Sequence, residues 1–170
     1  MRSLMVALTF LVAGAVAAEQ AWHKVEPAGQ GFAVEFPLKP SAQEEKVHLG
    51  AGKHAVMRTW QIRAATAIYD VTVADYPKGM IAEIGEAQVL DNASAGAVQN
   101  ALGPLISETK LEYAGRPARE LIVDMTMGMN VRSLVFLSGD RLFNVGAITK
   151  KGNERSPEIE RYFASFKLAK

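Results

Sequence analysis

Residues 116–149 carry three runs of strand patterning: RPARELIVDM (116–125), VRSLVFLSG (131–139) and RLFNVGAIT (141–149). They read as three consecutive antiparallel strands. In the second, Val131, Ser133, Val135 and Leu137 fall on one side and Leu134 and Phe136 on the other. A strand that is apolar on both faces is covered on both faces, so the last two runs belong at the centre of a sheet.

The rest of the chain supplies partners and covers for that centre. Phe32, Val34 and Phe36 alternate with Ala33 and Glu35 in a half-buried strand stopped by Pro37 and Pro40. Residues 44–49 and 53–63 predict a hairpin around Gly50-Ala51-Gly52. The strand predicted over 66–76 places Tyr69, Val71 and Val73 on its inner face, and PKGMIAEIG (77–85) reads as a loop. Leu90, Ala93, Ala97, Val98 and Ala101 share one face of a helix running from Glu86 to about Leu102, ended by Gly103-Pro104. Residues 106–113 give a further strand. Ser156-Pro157-Glu158 is a helix start, with a capping hydroxyl, proline at the first position and acid in the first turn. The stripe Ile159, Tyr162, Phe163 and Phe166 that follows is expected to seal one sheet face. The prediction is a single α+β domain over 19–170.

The N-terminus changes the picture. Arg2 precedes an apolar run from Leu4 to Val16, within the roughly 7–15 residues of a signal-peptide core and short of the ~20 that span a bilayer. Small residues at 15–18 predict cleavage before Ala18 or Glu19. Residues 1–18 are therefore expected to be a removed leader, leaving no stable membrane anchor and a periplasmic or secreted domain. Arg2 is the one charged residue in that leader, so the 18 remaining basic residues balance 18 acidic ones. A neutral chain gives no electrostatic reason to expect nucleic acid. With no cysteine there is no disulfide framework, thiolate metal site or thiol nucleophile.

GFAVEFP (31–37), YDVTVADYP (69–77), YAGRPARELIVD (113–124), RSLVFLSGDRLFNVGA (132–147) and YFASFKL (162–168), in that order, resemble the Mog1/PsbP-like family in its exported bacterial branch. The resemblance implies an antiparallel sheet sandwiched by helices, an α/β/α sandwich, and no enzyme activity. Members with known roles are binding or assembly proteins, one acting with a small GTPase and one with photosystem II. No position here matches their functional residues.

Candidate chemistry is sparse. Gly50-Ala51-Gly52-Lys53-His54-Ala55 fits the letters of a dinucleotide fingerprint, but that motif needs a strand before it and a helix after it. With strands expected on both sides it does not bind nucleotide. A three-residue loop at 50–52 would pair Leu49 with Lys53 and set His48 opposite His54, with Cβ atoms about 4.5–5.5 Å apart. Two such imidazoles can share zinc or copper, with His23 or Glu45 as further ligands. Met125, Met127 and Met129 lie at a hairpin tip, would share one face of a strand, and carry the soft thioethers that select Cu(I). Asp124, Glu120, Arg116, Arg119, Arg132 and Arg141 fall on adjacent strands, as a solvated rim or as a patch for an anionic partner. No G-x-S-x-G elbow and no H-E-x-x-H occurs. The expected function is an exported, non-catalytic binding domain without a cofactor, facing an unknown protein partner in the cell envelope. The alternative is a periplasmic copper- or zinc-binding protein using Met125, Met127 and Met129 or His48 and His54.

Overall fold

The computed structural model describes residues 21–169, so the leader expected at 1–18 lies outside the described residues. Ten strands and three helices follow in the order β1 (His23–Val25), β2 (Phe32–Phe36), β3 (Ser41–Gly50), β4 (Lys53–Arg63), β5 (Ala67–Asp75), α1 (Met80–Ile84), α2 (Glu86–Ala101), β6 (Leu105–Tyr113), β7 (Arg116–Met125), β8 (Met129–Ser138), β9 (Arg141–Lys150), α3 (Pro157–Ser165) and β10 (Lys167–Leu168). Seven strands form one antiparallel sheet in the order β3-β4-β5-β9-β8-β7-β6. The two strands with apolar residues on both faces, β8 and β9, sit in its middle, as the pattern requires.

One face of this sheet is sealed by aromatic residues. Tyr69, Val71 and Val73 of β5 and Phe136, Phe143 and Val145 of β8 and β9 pack under Ile159, Tyr162, Phe163 and Phe166. Phe136 and Phe143 stack across the strand pair at 5.1 Å between centroids. The strand β2 does not join the main sheet. It forms a small second sheet, β1-β2-β10, which shares the cover of this face with α3. Three tyrosine hydroxyls are satisfied within the layer: Tyr162 donates to the Asp70 carbonyl at 2.7 Å, Tyr69 to Glu158 at 2.8 Å and Tyr113 to the Phe166 carbonyl at 2.8 Å.

The opposite face is covered by α1 and α2 through Ile81, Val89, Leu90 and Ala101 against Leu121, Val123, Val135 and Leu137. These strand residues belong to β7 and β8, so α2 lies over one half of the sheet. The architecture is the expected α+β sandwich with two departures. Residues 80–84 form a short helix where a loop was expected, because Ile81 has a buried seat among the α2 residues. Ser156 stands at the N-cap of α3, but its hydroxyl makes no capping bond; its carbonyl accepts from the Glu160 amide at 2.9 Å.

Candidate functional site

The half of the sheet that α2 leaves uncovered forms the wall of a cleft. On the side of α2 that faces β9, β5 and β4 the helix carries Ala93, Gly96 and Ala97, and a Cβ built on Gly96 would meet nothing within 4 Å. Small side chains here keep the helix from filling the space above the sheet. The result is an opening of about 300 Å³. Met57, Ala74 and Leu142 form its apolar floor, and Val47 and Leu49 approach from the β3–β4 hairpin. Thr72, Asn100 and Asn144 are the polar groups. The side-chain carbonyl of Asn144 is buried without a hydrogen-bond partner among the described residues. Among the described residues Tyr76 is the one titratable group of the lining, and burial raises its pKa. No carboxylate, imidazole or serine hydroxyl of the described residues lines the cleft, which offers a largely apolar surface for binding.

The floor continues along the strands. The cross-strand pairs Ala74–Leu142, Thr72–Asn144 and Asp70–Gly146 succeed one another on this face. The Asp70 carboxyl has no hydrogen bond or ion pair among the described residues, and burial raises its pKa to about 6.

The histidine pair forms as its spacing predicts, by a different turn. Gly50 pairs with Lys53, closing a two-residue turn in which Ala51 and Gly52 both have positive φ, at 47° and 71°. Leu49 is absorbed as a bulge, and His48 still faces His54. Their Nε2 atoms lie 3.1 Å apart on an exposed surface. Two nitrogens on one tetrahedral zinc are separated by roughly 3.3 Å, given Zn–N of about 2.0–2.1 Å. Glu45 falls on the opposite face of β3 from His48, and His23 lies on β1 in the other sheet. Among the described residues no third His, Cys, Asp or Glu joins the pair.

The methionines do not share one strand face. Met125 and Met129 are cross-strand partners, half-buried, with Met125 packed against the α2 cluster. Met127 sits between them in a tight turn with φ 68° and is 92% exposed. The chain reverses at Met127, and this separates it from the other two.

The charged residues of the central strands are dispersed to both faces. Arg132 is buried at 4% exposure and bonds Glu120 through Nε at 3.1 Å and a terminal nitrogen at 2.7 Å. It also donates to Glu160 at 2.9 Å and to the Glu154 carbonyl at 3.3 Å, and lies over the Phe163 ring at 4.3 Å. Arg155 joins Glu120 and Glu160. Arg119, on the other face, pairs with Asp91 at 3.0 Å. Lys151 pairs with Asp124, and Asp75 is held between Arg58 and Arg141. Arg119 and Arg132 are thus spent inside the protein, and the solvated rim expected from the sequence is in these two cases a set of internal ties. Gly50–Ala55 lies in the hairpin with a strand on either side, so the fingerprint lacks its helix.

No family model matches this sequence, and no curated protein matches it. Among solved structures the chain is similar to the solution structure of cyanobacterial PsbP (CyanoP) from Synechocystis sp. PCC 6803. The match has a TM-score of 0.57 and 11% identity, and covers 90% of this chain and 95% of that one. The chain has the PsbP-like fold. The order of motifs noted in the sequence therefore marked the fold correctly. Identity this low carries no site residue across, so the cleft, the histidine pair and the methionine turn stand on their own geometry within the PsbP-like frame. Among the described residues no helix is long and apolar enough to cross a membrane.

Proposed function

We propose that this PsbP-like protein is an exported, non-catalytic binding domain whose ligand site is the cleft between α2 and the β3–β4–β5–β9 half of the sheet. The carrying observation is the cleft itself. It is largely apolar, about 300 Å³ in volume, and holds an unpartnered amide. The leader pattern at 1–18 supports action outside the cytoplasm, in the cell envelope. The test is fluorescence of the neutral apolar probe N-phenyl-1-naphthylamine. Wild-type protein is expected to enhance its emission, and Ala97→Phe, which fills the cleft, to remove the enhancement while far-UV circular dichroism stays unchanged. Equal enhancement in both proteins refutes the assignment.

A second reading is metal binding, favoured by the 3.1 Å approach of the His48 and His54 Nε2 atoms. A two-residue chelate leaves the remaining positions of a zinc or copper ion to water or another molecule. Met125, Met127 and Met129 offer a Cu(I) site only if the turn rearranges to bring Met127 beside the other two. Thermal melting against Zn(II), Cu(II) and Cu(I) separates the cases. A rise with Zn(II) or Cu(II) lost in His48→Ala supports the pair. A rise with Cu(I) lost in a Met127→Ala, Met129→Ala variant supports the turn. No shift with any of the three ions eliminates this reading.

A further inference from the structure

Three successive cross-strand pairs on the α2 side of β5 and β9 grade from apolar to charged. Ala74–Leu142 is apolar, Thr72–Asn144 is neutral and polar, and Asp70 stands opposite Gly146. Same-face positions two residues apart lie about 6.8 Å apart along a strand. The series thus runs from the apolar floor of the cleft to a carboxylate roughly 14 Å away. The carboxylate is made to fit this place. A Cβ on Gly146 would sit 2.5 Å from Asp70 Oδ1, so the glycine opens the room that the acid occupies. Directly opposite Asp70 stand Gln61 on β4 and Gly146 on β9, which in turn pairs with Ser133 on β8; Arg63, the diagonal neighbour on β4, is exposed and makes no ion pair with Asp70 among the described residues. It therefore has no cation, while the other well-covered carboxylate of the sheet, Glu120, has two. A half-buried carboxylate without a partner of its own favours a cation from outside, and Asp70 stays open enough for one to reach it. The neighbouring groups narrow what that is: the Asn144 carbonyl, also unpartnered, accepts hydrogen bonds, and the far end accepts only hydrocarbon.

We infer that the cleft together with the rung beyond it takes an aliphatic primary ammonium, its stem lying across Thr72 and Asn144 with its tail reaching towards Ala74 and Leu142, and its –NH3⁺ donating to Asp70 and, through a second proton, towards Asn144. This rests on the cleft being a ligand site. A six-carbon stem, about 7–8 Å long, is long enough to lie across the Thr72–Asn144 step with its head at Asp70. Three N–H donors on one compact head suit two acceptors on neighbouring rungs better than a hydroxyl does.

The experiment is ¹⁵N–¹H NMR titration of the protein at pH 7.5 with hexylammonium, 1-hexanol and hexanoate. Hexylammonium is expected to move the amides of β5, β9 and α2 and to bind at least roughly tenfold more tightly than hexanol, as a charge-assisted hydrogen bond exceeds a neutral one. Hexanoate should bind least. Asp70→Asn should bring hexylammonium down to the level of hexanol and leave hexanol unchanged. Hexanol binding wild type as tightly as hexylammonium overturns the ammonium site and leaves the cleft standing. Binding of phenylnaphthylamine with no response to any six-carbon probe has the same meaning, and failure of every probe removes the cleft as well. Nα-acetyl-lysine methylamide carries the same head on a peptide unit. Tighter binding of this compound than of hexylammonium assigns the source to a lysine of a partner protein, and the reverse order to a free amine.

Discussion

At the scale of single residues, Asp70 and Gly146 depend on each other. Asp70 is the charged member of one face of β5, whose opposite face carries Tyr69, Val71 and Val73, all fully buried. Its backbone carbonyl is held by Tyr162, so the strand cannot shift to relieve the side chain. Gly146→Ala would place a methyl group 2.5 Å from Oδ1 and 3.0 Å from Cγ of Asp70. The expected outcome is a loss of about 1–3 kcal/mol in urea unfolding, the ordinary cost of overpacking a fixed site. The double variant Asp70→Ala, Gly146→Ala should recover most of that loss, because the clash needs both groups. Strictly additive losses would mean that Gly146 is needed for some other reason. In the sequence, Asp70 reads as one more polar residue on an alternating strand. The signal that singles it out is its glycine partner on a central strand, and this becomes visible only once the β5–β9 register is fixed.

At the scale of elements, patterning carried most of the information. The two-faced apolar character of β8 and β9 located the sheet centre. The aromatic stripe located the inner face of α3, and Leu90 and Ala101 located that of α2. Two features were out of reach for physical reasons. Five residues of α1 are too few to show a helical period. Which half of the sheet a 16-residue helix covers depends on strand order and crossing direction, so the cleft beside α2 leaves no trace in local pattern. The mode of attachment of α3 was also hidden, since Arg132 and Glu120 look like surface charges on a strand. In the fold, Arg132 ties β7, β8 and α3 together with its side chain only 5% exposed. Arg132→Leu leaves Glu120 to Arg155 alone and removes the contact over Phe163. A loss of about 2–4 kcal/mol is expected, somewhat below the roughly 3–5 kcal/mol for breaking a buried pair, because Arg155 still pairs with Glu120. Hydrogen exchange should show α3 amides losing protection more than those of α2. Uniform loss across both helices would argue that Arg132 supports the sheet and not the docking of α3.

Across the whole molecule, the two faces of the sheet respond to pH in opposite senses. Burial pushes Asp70 up to about 6 from an ordinary value of 3.8, so the folded protein holds that proton more tightly than the unfolded chain. Its contribution to stability is complete below about 3.8 and is lost as pH rises through about 6, a difference on the order of 1–3 kcal/mol. On the α3 face the order of effects is reversed. Burial pushes Glu120 up, but hydrogen bonds and charge from Arg132 and Arg155 outweigh it and hold the carboxyl below its usual range. Burial also pushes Glu154 up, and the Gly152 amide, its own amide, Asn130 and Lys151 together bring it down. These two carboxylates contribute stability above about 4.5, and it is lost as pH falls through their lowered values. The sum is a dome with its maximum near pH 4.5, where the Glu120 and Glu154 contribution is nearly complete and that of Asp70 has begun to fall. Melting temperatures measured from pH 3 to 8 should trace it, falling on the neutral side as well as the acid side. In Asp70→Asn the neutral-side fall should disappear and the acid-side fall remain, because the amide removes the group that titrates near 6 and leaves the arginine network intact. A wild-type curve that climbs steadily to pH 8 would show that Asp70 is already compensated by a cation in solution, and the case for an ammonium ligand would weaken with it.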